Sequence, residues 1–109
     1  MEDKQLLELA AKAAGLKAQY SDNWGDFSIG EPYSKGEVRW NPLTFDHDAF
    51  RLMVALSLDV EFDGPTGVRV NYVGGNGRLC TVEQLILEDL AEAVRRTIVR
   101  AAAELGKDK

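Results

Sequence analysis

The sequence predicts an α+β fold in which three helices pack on an antiparallel three-stranded β-meander. Apolar side chains recur at helical spacing in residues 3–14, 47–56 and 82–105. They alternate with polar side chains over residues 58–72, and glycine-rich turns interrupt that alternation. A length of 109 residues suits one domain, so residues 1–109 are predicted to form a single α+β domain.

The first helix is predicted over residues 3–14, with Gly15 supplying the left-handed residue that ends it. Leu16 is then placed to pack back on the last helical turn. The apolar face of this helix consists of Leu6, Leu9, Ala10 and Ala13.

Residues 17–45 are predicted to be mainly loop, with short strands at residues 27–29 and 37–40. A loop this long in a small domain is usually functional or contains a strand that pattern does not resolve. A short N-terminal strand is therefore a candidate to extend the meander. Trp40 alternates with polar neighbours and precedes Asn41-Pro42, so its side chain is predicted to be buried.

The second helix is predicted over residues 47–56, with Asp46 as its N-cap. Asp48 places a second carboxylate in the first turn, where the helix dipole stabilises negative charge. The apolar stripe predicted to face the core consists of Phe50, Met53, Val54 and Leu56.

The meander begins after this helix, and its first hairpin turns at residues 63–67. Alternation predicts that Phe62 lies opposite Val68, which also brings Glu61 opposite Arg69 as a favourable cross-strand pair. The second hairpin is predicted to turn through two residues, Gly75-Asn76. Tyr72 would then lie opposite Leu79.

The third helix is predicted over residues 82–105 because Thr81 and Gln84 have the spacing of a capping box. Gly106 is predicted to end it. Its buried stripe is predicted to consist of Leu87, Leu90, Val94, Ile98, Ala101 and Leu105.

Two segments resemble small bacteriophage and prophage proteins grouped as the phage ABA sandwich domain, over about residues 4–106. One segment combines Trp40-Asn41-Pro42 with Asp46, Asp48, Ala49 and Leu52, and the other runs from Val94 to Gly106. The resemblance implies a phage gene and α-β-α layering. The family has no established activity, so the resemblance implies no catalytic residues.

One face of the predicted meander is polar, and this bears on the layering. Its side chains are Asp59, Glu61, Asp63, Arg69 and Asn71. A sheet covered by helices on both faces is normally apolar on both. The pattern alone therefore favours a two-layer sandwich, whereas the resemblance implies α-β-α, and both arrangements stay open.

Composition limits the classes of partner and the compartment. The net charge is −5, and residues 1–63 carry twelve Asp/Glu against six Lys/Arg. An acidic protein repels the phosphate backbone, so nucleic acid is not the expected partner and a basic protein surface is. Cys80 is the only cysteine, as suits a reducing cytoplasm. No apolar run is long enough to span a bilayer and no signal peptide is recognisable, so a cytoplasmic location in the host bacterial cell is predicted.

The sequence shows no nucleophile–base pair, so no catalytic residue, cofactor or metal is predicted. Asp46-His47-Asp48 and the acidic strand are better explained as helix-start charges and a solvated sheet face. Trp24 lies in a polar turn and either folds back on the core or serves as an exposed anchor for a partner. The candidate binding residues are Trp24, Tyr20, Tyr33 and His47.

The phage origin implied by the resemblance, together with the acidic composition, favours a non-enzymatic phage accessory protein that binds a host or phage protein. One alternative is a structural phage protein that associates with itself as a homo-oligomer. A second is a small-molecule or metal-binding domain near Asp46, His47 and Trp24. A third is a hydrolase that uses the carboxylates of residues 59–63.

Overall fold

Three helices and two antiparallel three-stranded sheets form the part of the chain that the computed structural model describes, residues 2–31, 33–86 and 88–109. The predicted α+β class is therefore confirmed. The elements in chain order are α1 (Asp3–Ala13), β1 (Ala18–Ser21), β2 (Asp26–Ile29), β3 (Val38–Arg39), α2 (Asp46–Ala55), β4 (Asp59–Asp63), β5 (Gly67–Val73), β6 (Leu79–Leu85) and α3 (Leu90–Lys107).

Helices α1 and α3 lie side by side and run in the same direction. Arg96 near the start of α3 binds Asp3 at the start of α1, and Lys109 after α3 donates to the carbonyl of Ala13 at the end of α1. Small side chains line the contact, so the two backbones approach closely. The fully buried small residues are Ala10, Ala11, Ala13, Ala101, Ala102, Ala103 and Gly106.

The first hairpin of the meander has the predicted register. Phe62 pairs with Val68 and Glu61 pairs with Arg69 across β4 and β5. Val70 of β5 is completely buried beneath α3, whereas Asp59 of β4 is exposed on the opposite face. Helices therefore cover one face of this sheet, as in the two-layer alternative, and the polar face stays in solvent.

The predicted register of the second hairpin is wrong by one residue. Tyr72 pairs with Cys80, not with Leu79, which pairs with Val73. The turn is longer than the predicted Gly75-Asn76, because the amide of Gly74 donates to the carbonyl of Arg78. Gly77 closes this turn with a φ of 80°, a conformation that glycine adopts without steric cost.

The predicted start of the third helix is also wrong, because Thr81 and Gln84 lie in β6 and not in a capping box. Pairing with β5 satisfies the backbone groups of this segment, and that tertiary context overrides the local pattern. Helix α3 begins at Leu90, after Asp89 caps it by accepting a hydrogen bond from the amide of Glu92.

The predicted buried stripe of this helix is confirmed in part. Ile98 and Ala101 are buried, Val94 and Leu105 are half-buried, and Leu90 is exposed. The prediction for Leu87 lies outside the described residues. Gly106 does not end the helix but lies in its last turn against α1.

Helix α2 faces the core with different residues from those predicted. Its N-cap is Phe45 and not Asp46, and its buried residues are Asp48, Ala49 and Leu52. Most of the predicted stripe is not buried: Phe50 and Val54 are exposed, while Met53 and Leu56 are half-buried. The stripe prediction is therefore wrong: the buried face of α2 lies about one residue away, around the helix, from the predicted face.

The N-terminal strands form a second sheet and do not extend the meander. The strands predicted at residues 27–29 and 37–40 correspond to β2 and β3, whereas β1 was not predicted. Strand β2 lies between β1 and β3. The side chains of Phe27 and Trp40 belong to the main hydrophobic core and so join this sheet to it.

Candidate functional site

Glu37 connects three separate segments of the N-terminal sheet. Its buried carboxylate accepts hydrogen bonds from the hydroxyl of Ser28 at 2.8 Å, the amide side chain of Asn23 at 3.2 Å and the backbone N–H of Tyr33 at 3.2 Å. These donors belong to β2, to the turn before it and to the loop after it. One side chain thus holds both loops against the sheet.

The same hydrogen bonds keep Glu37 ionised. Burial by itself would raise the pKa of the Glu37 carboxyl. Hydrogen bonds from the side chains of Ser28, Asn23 and Ser21 and from the Tyr33 backbone outweigh burial, so the pKa is lowered from its usual value of 4.5. The negative charge is therefore part of what positions the two loops at neutral pH.

Replacing Glu37 with glutamine is expected to lower the melting temperature at pH 7, by an amount that shrinks in acid. The pKa is lowered in the folded state, so the stability from this carboxylate is fully present above pH 4.5. It is lost as the pH falls through the lowered pKa. Melting curves of wild type and Glu37→Gln between pH 7 and 3 measure this, with the exposed Glu31→Gln as control. A melting difference that does not change with pH contradicts the assignment.

Three exposed aromatic side chains lie on the segments around Glu37. The exposed fractions are 55% for Tyr20, 45% for Trp24 and 74% for Tyr33. Tyr20 packs edge-on against Phe27, with ring centroids 6.2 Å apart. Tyr33 has a φ of 60°, which is unusual for a residue other than glycine, and its N–H is held by Glu37. We call Tyr20, Trp24 and Tyr33 the aromatic surface.

The structure answers where Trp24 lies. Its side chain is nearly half exposed, in the turn that Asn23 ties to Glu37. The sequence left open whether Trp24 folds back on the core or is exposed, and the structure shows the exposed position. Trp40, in contrast, is only 4% exposed, so the prediction of its burial is confirmed.

A second network centred on Asp26 explains the Trp40–Asp48 segment. The buried Asp26 carboxylate accepts from Arg39 Nε at 2.8 Å and from Asn41 Nδ2 at 3.0 Å. The backbone N–H of Asn41 donates to Asp48 at 2.9 Å, and the Asn41 side chain accepts from the N–H of Leu43. These bonds join β2, β3 and the start of α2, so this segment has mainly a structural role.

His47 belongs to this second network and not to the aromatic surface. Its ring stacks on Phe45 at 5.8 Å, and its Nε2 lies 3.3 Å from Asp48 Oδ1. The guanidinium of Arg39 also lies over the Phe45 ring, 4.9 Å from the ring centre. The structure therefore brings the segments of Trp24 and Tyr33 together, whereas the neighbours of His47 are Phe45 and Asp48.

The acidic side chains of β4 also have local partners. The side chain of Asn71 donates to Asp59 and to Glu61, and Arg69 lies 3.5 Å from Asp63. Among residues 2–31, 33–86 and 88–109, no three His, Cys, Asp or Glu side chains cluster as metal ligands would.

Tyr72 lies opposite Cys80 on the face of the meander that the helices cover. Burial raises the pKa of the Tyr72 phenol to about 12, helped by the nearby charges of Cys80 and Glu104. The phenol is therefore neutral at physiological pH.

Sequence reasoning missed an apolar groove between α2 and α3. Its volume is about 550 Å³. The side chains that line it are Asp46, Ala49, Phe50, Met53, Val60, Leu90, Ala91, Val94, Arg95 and Ile98. The sequence predicts Phe50 and Leu90 as core residues, because the apolar pattern of a helix does not distinguish a buried face from a groove. We call this feature the α2–α3 groove.

Comparison of the sequence with protein-family models and with curated proteins found no match. None of the helices in the described part of the chain has the length and apolarity needed to cross a membrane.

Proposed function

We propose that this chain is a non-enzymatic protein-binding module whose aromatic surface contacts the partner. The observation that carries the proposal is the exposure of Trp24 and Tyr33 on segments that the buried Glu37 holds in place, with Tyr20 exposed on the neighbouring strand β1. Tyrosine and tryptophan are enriched at interface hot spots because a large ring contributes contact area with few rotatable bonds.

The anchoring of the loops supports binding because it reduces the entropy that association costs. A loop that is already ordered loses less conformational freedom when a partner covers it. Glu37 orders the turn through Asn23 and the following loop through the N–H of Tyr33. The strained backbone of Tyr33 is maintained by the same contact, and strained backbone of this kind is often found at ligand-contacting sites.

The proposal extends to a phage or prophage accessory protein acting in the cytoplasm of the infected bacterium. The resemblance of residues 40–52 and 94–106 to the phage ABA sandwich domain supports this origin. The partner is a host or phage protein, and the net charge of −5 favours one with a basic surface.

Trp24→Ala and Tyr33→Ala are each expected to weaken binding of a captured partner about tenfold or more, since hot-spot aromatics typically contribute at least ~2 kcal/mol. Immobilised wild-type protein is used to capture partners from lysate of the infected host. Each candidate is then purified and titrated against wild type and variants. Leu79→Ala removes an apolar side chain that is about as exposed as Tyr33 from the outer face of the meander, and it serves as the control.

Equal loss of affinity in Leu79→Ala and Trp24→Ala would indicate non-specific hydrophobic capture. The proposal also fails if Trp24→Ala unfolds the protein, because Trp24 would then belong to the core. Thermal melting of each variant separates that outcome from a loss of binding.

A further inference from the structure

Strand β6 forms one edge of the meander, and the outward side of its backbone is almost unpaired. The bond from the N–H of Ile86 to the carbonyl of Thr66 fixes which residues of β6 bond to β5. Because the direction alternates along an antiparallel strand, every second residue of β6 points its N–H and C=O away from β5. These residues are Leu79, Thr81, Glu83 and Leu85. Within residues 2–31, 33–86 and 88–109, the one hydrogen-bond partner of these backbone groups is Arg100, which donates to the Glu83 carbonyl at 3.0 Å.

Two exposed leucines lie on this edge. Leu79 is 76% exposed and Leu85 is 67% exposed, at the two ends of β6 on the outer face of the meander. Soluble proteins usually blunt an unpaired edge strand with charge, because an apolar edge pairs with other strands. The pattern of β6 is therefore typical of an edge that is covered in use.

The opposite edge of the same sheet, β4, is protected from pairing with a copy of itself. Its outer face carries exposed carboxylates at every second position, Asp59, Glu61 and Asp63. A two-fold pairing of β4 with a second β4 would place carboxylates directly opposite carboxylates, which is destabilising. Strand β6 has one carboxylate, Glu83, which lies 3.5 Å from Arg69 Nε of its own chain.

The residues of β6 are arranged almost symmetrically about Val82. Leucines lie three positions before and after Val82, and the polar Thr81 and Glu83 flank it. In an antiparallel copy centred on Val82, Leu79 lies opposite the partner's Leu85 and Thr81 lies opposite the partner's Glu83. Sliding the copy by two residues in either direction would bring Glu83 opposite the partner's Leu79 or the partner's Glu83. The symmetric register is thus the one that matches apolar with apolar and polar with polar.

We propose that β6 pairs with β6 of a second copy of this chain, about a two-fold axis that passes between Val82 and the partner's Val82. The two three-stranded meanders then form one continuous sheet. The outward backbone groups of β6 bond to those of the partner subunit, and the Glu83 carbonyl keeps Arg100 because it has a second lone pair. This inference does not rest on the proposed function of the aromatic surface, whose residues belong to β1 and the loops of the other sheet.

Sedimentation equilibrium of the full chain at concentrations up to about 1 mM is expected to show twice the monomer mass. Thr81→Pro removes one outward N–H and no bond to β5, at a kind of position where edge strands tolerate proline. The symmetric interface loses that bond twice, so dimerisation is expected to weaken at least ~10-fold. Phe62→Pro is the matched control, since the N–H of Phe62 points outward from the opposite edge, and it is expected to leave the dimer unchanged.

Charge exchange tests the register. Leu79→Lys combined with Leu85→Lys places lysine opposite lysine in the dimer, and the corresponding pair of glutamate substitutions places glutamate opposite glutamate. Each double variant alone is expected to be monomeric. An equimolar mixture pairs lysine with glutamate at both ends of β6 and is expected to dimerise at least ~10-fold more tightly than either variant alone. Both positions are exposed, so the substitutions are expected to leave the fold of each chain intact.

A disulfide reports the same register on the other face of β6. Cys80 is the only cysteine, and it lies opposite the partner's Gln84 in the proposed dimer, with Cα atoms about 4.5 Å apart. That separation suits a disulfide, so Gln84→Cys is expected to form a covalent dimer with oxidised glutathione as the oxidant. Wild type, and Gln84→Cys combined with Cys80→Ser, are expected to stay unlinked, because the like positions of the two copies lie four residues apart, about 13 Å.

Three results overturn the proposal: monomer mass at every concentration, a dimer that Phe62→Pro abolishes while Thr81→Pro does not, and a lysine–glutamate mixture that stays monomeric. Failure here is distinguishable from failure of the aromatic surface. Thr81→Pro and Leu79→Ala leave Tyr20, Trp24 and Tyr33 in place, so each is expected to bind a captured partner with wild-type affinity per chain.

Discussion

Replacing Gly106 with alanine is expected to destabilise the protein by about 3 kcal/mol, although alanine normally stabilises a helix relative to glycine. A Cβ at position 106 would overlap the carbonyl oxygen of Leu9 and lie 2.8 Å from its carbonyl carbon. Both atoms belong to the α1 backbone, so no side-chain rotation relieves the overlap. The two parallel helices must separate, and the alanines packed between them lose contact.

Thermal or denaturant unfolding measures this effect, and a drop in melting temperature of roughly 10 °C is expected for a chain of this size. Gly67→Ala is the matched control because the added Cβ would lie 3.4 Å or more from its neighbours, in ordinary contact. The control is expected to change stability by less than about 1 kcal/mol. An unchanged or raised melting temperature in Gly106→Ala would show that α1 and α3 are not packed this closely.

Elements whose partners are near in sequence were predictable. The first hairpin has the predicted register because apolar alternation and the Glu61–Arg69 pair select the same alignment. Helix α1 ends as predicted, with Gly15 at a φ of 72° and the N–H of Leu16 bonded to the carbonyl of Ala11.

Predictions failed where a distant segment decides between two local patterns. Thr81 and Gln84 have capping-box spacing, yet Cys80, Val82 and Gln84 also alternate as a strand does, and pairing with β5 selects the strand. The sequence predicts Gly106 as a helix stop, whereas its role comes from close contact with Leu9, which is remote in sequence. Local propensity contains no information about such contacts.

The candidate site shows the same division. The cluster of aromatic and turn residues around Trp24 was recognisable from composition, because rings in a polar turn have few local partners. The role of Glu37 was not recognisable, since its donors on Asn23, Ser28 and Tyr33 come together only through folding. The α2–α3 groove was hidden for a similar reason, because exposure of Phe50 depends on how α2 is rotated against α3.

The two tryptophans provide the sharpest test of how core and surface are divided in this chain. Trp40→Ala is expected to cost about 3–5 kcal/mol, because its side chain is 4% exposed and packs in the main core beside Phe27. Its backbone N–H also bonds to the carbonyl of Phe27, but alanine keeps that bond, so the loss is one of packing.

Trp24→Ala removes the same ring from a position that is 45% exposed, and is expected to cost less than about 1 kcal/mol. Urea unfolding of both variants under identical conditions measures the difference. A large loss of unfolding free energy in Trp40→Ala, together with near-wild-type stability in Trp24→Ala, would show that folding does not need the Trp24 ring. That ring is then available to contact a partner. Comparable losses in the two variants would instead make Trp24 a core residue and remove the main contact from the aromatic surface.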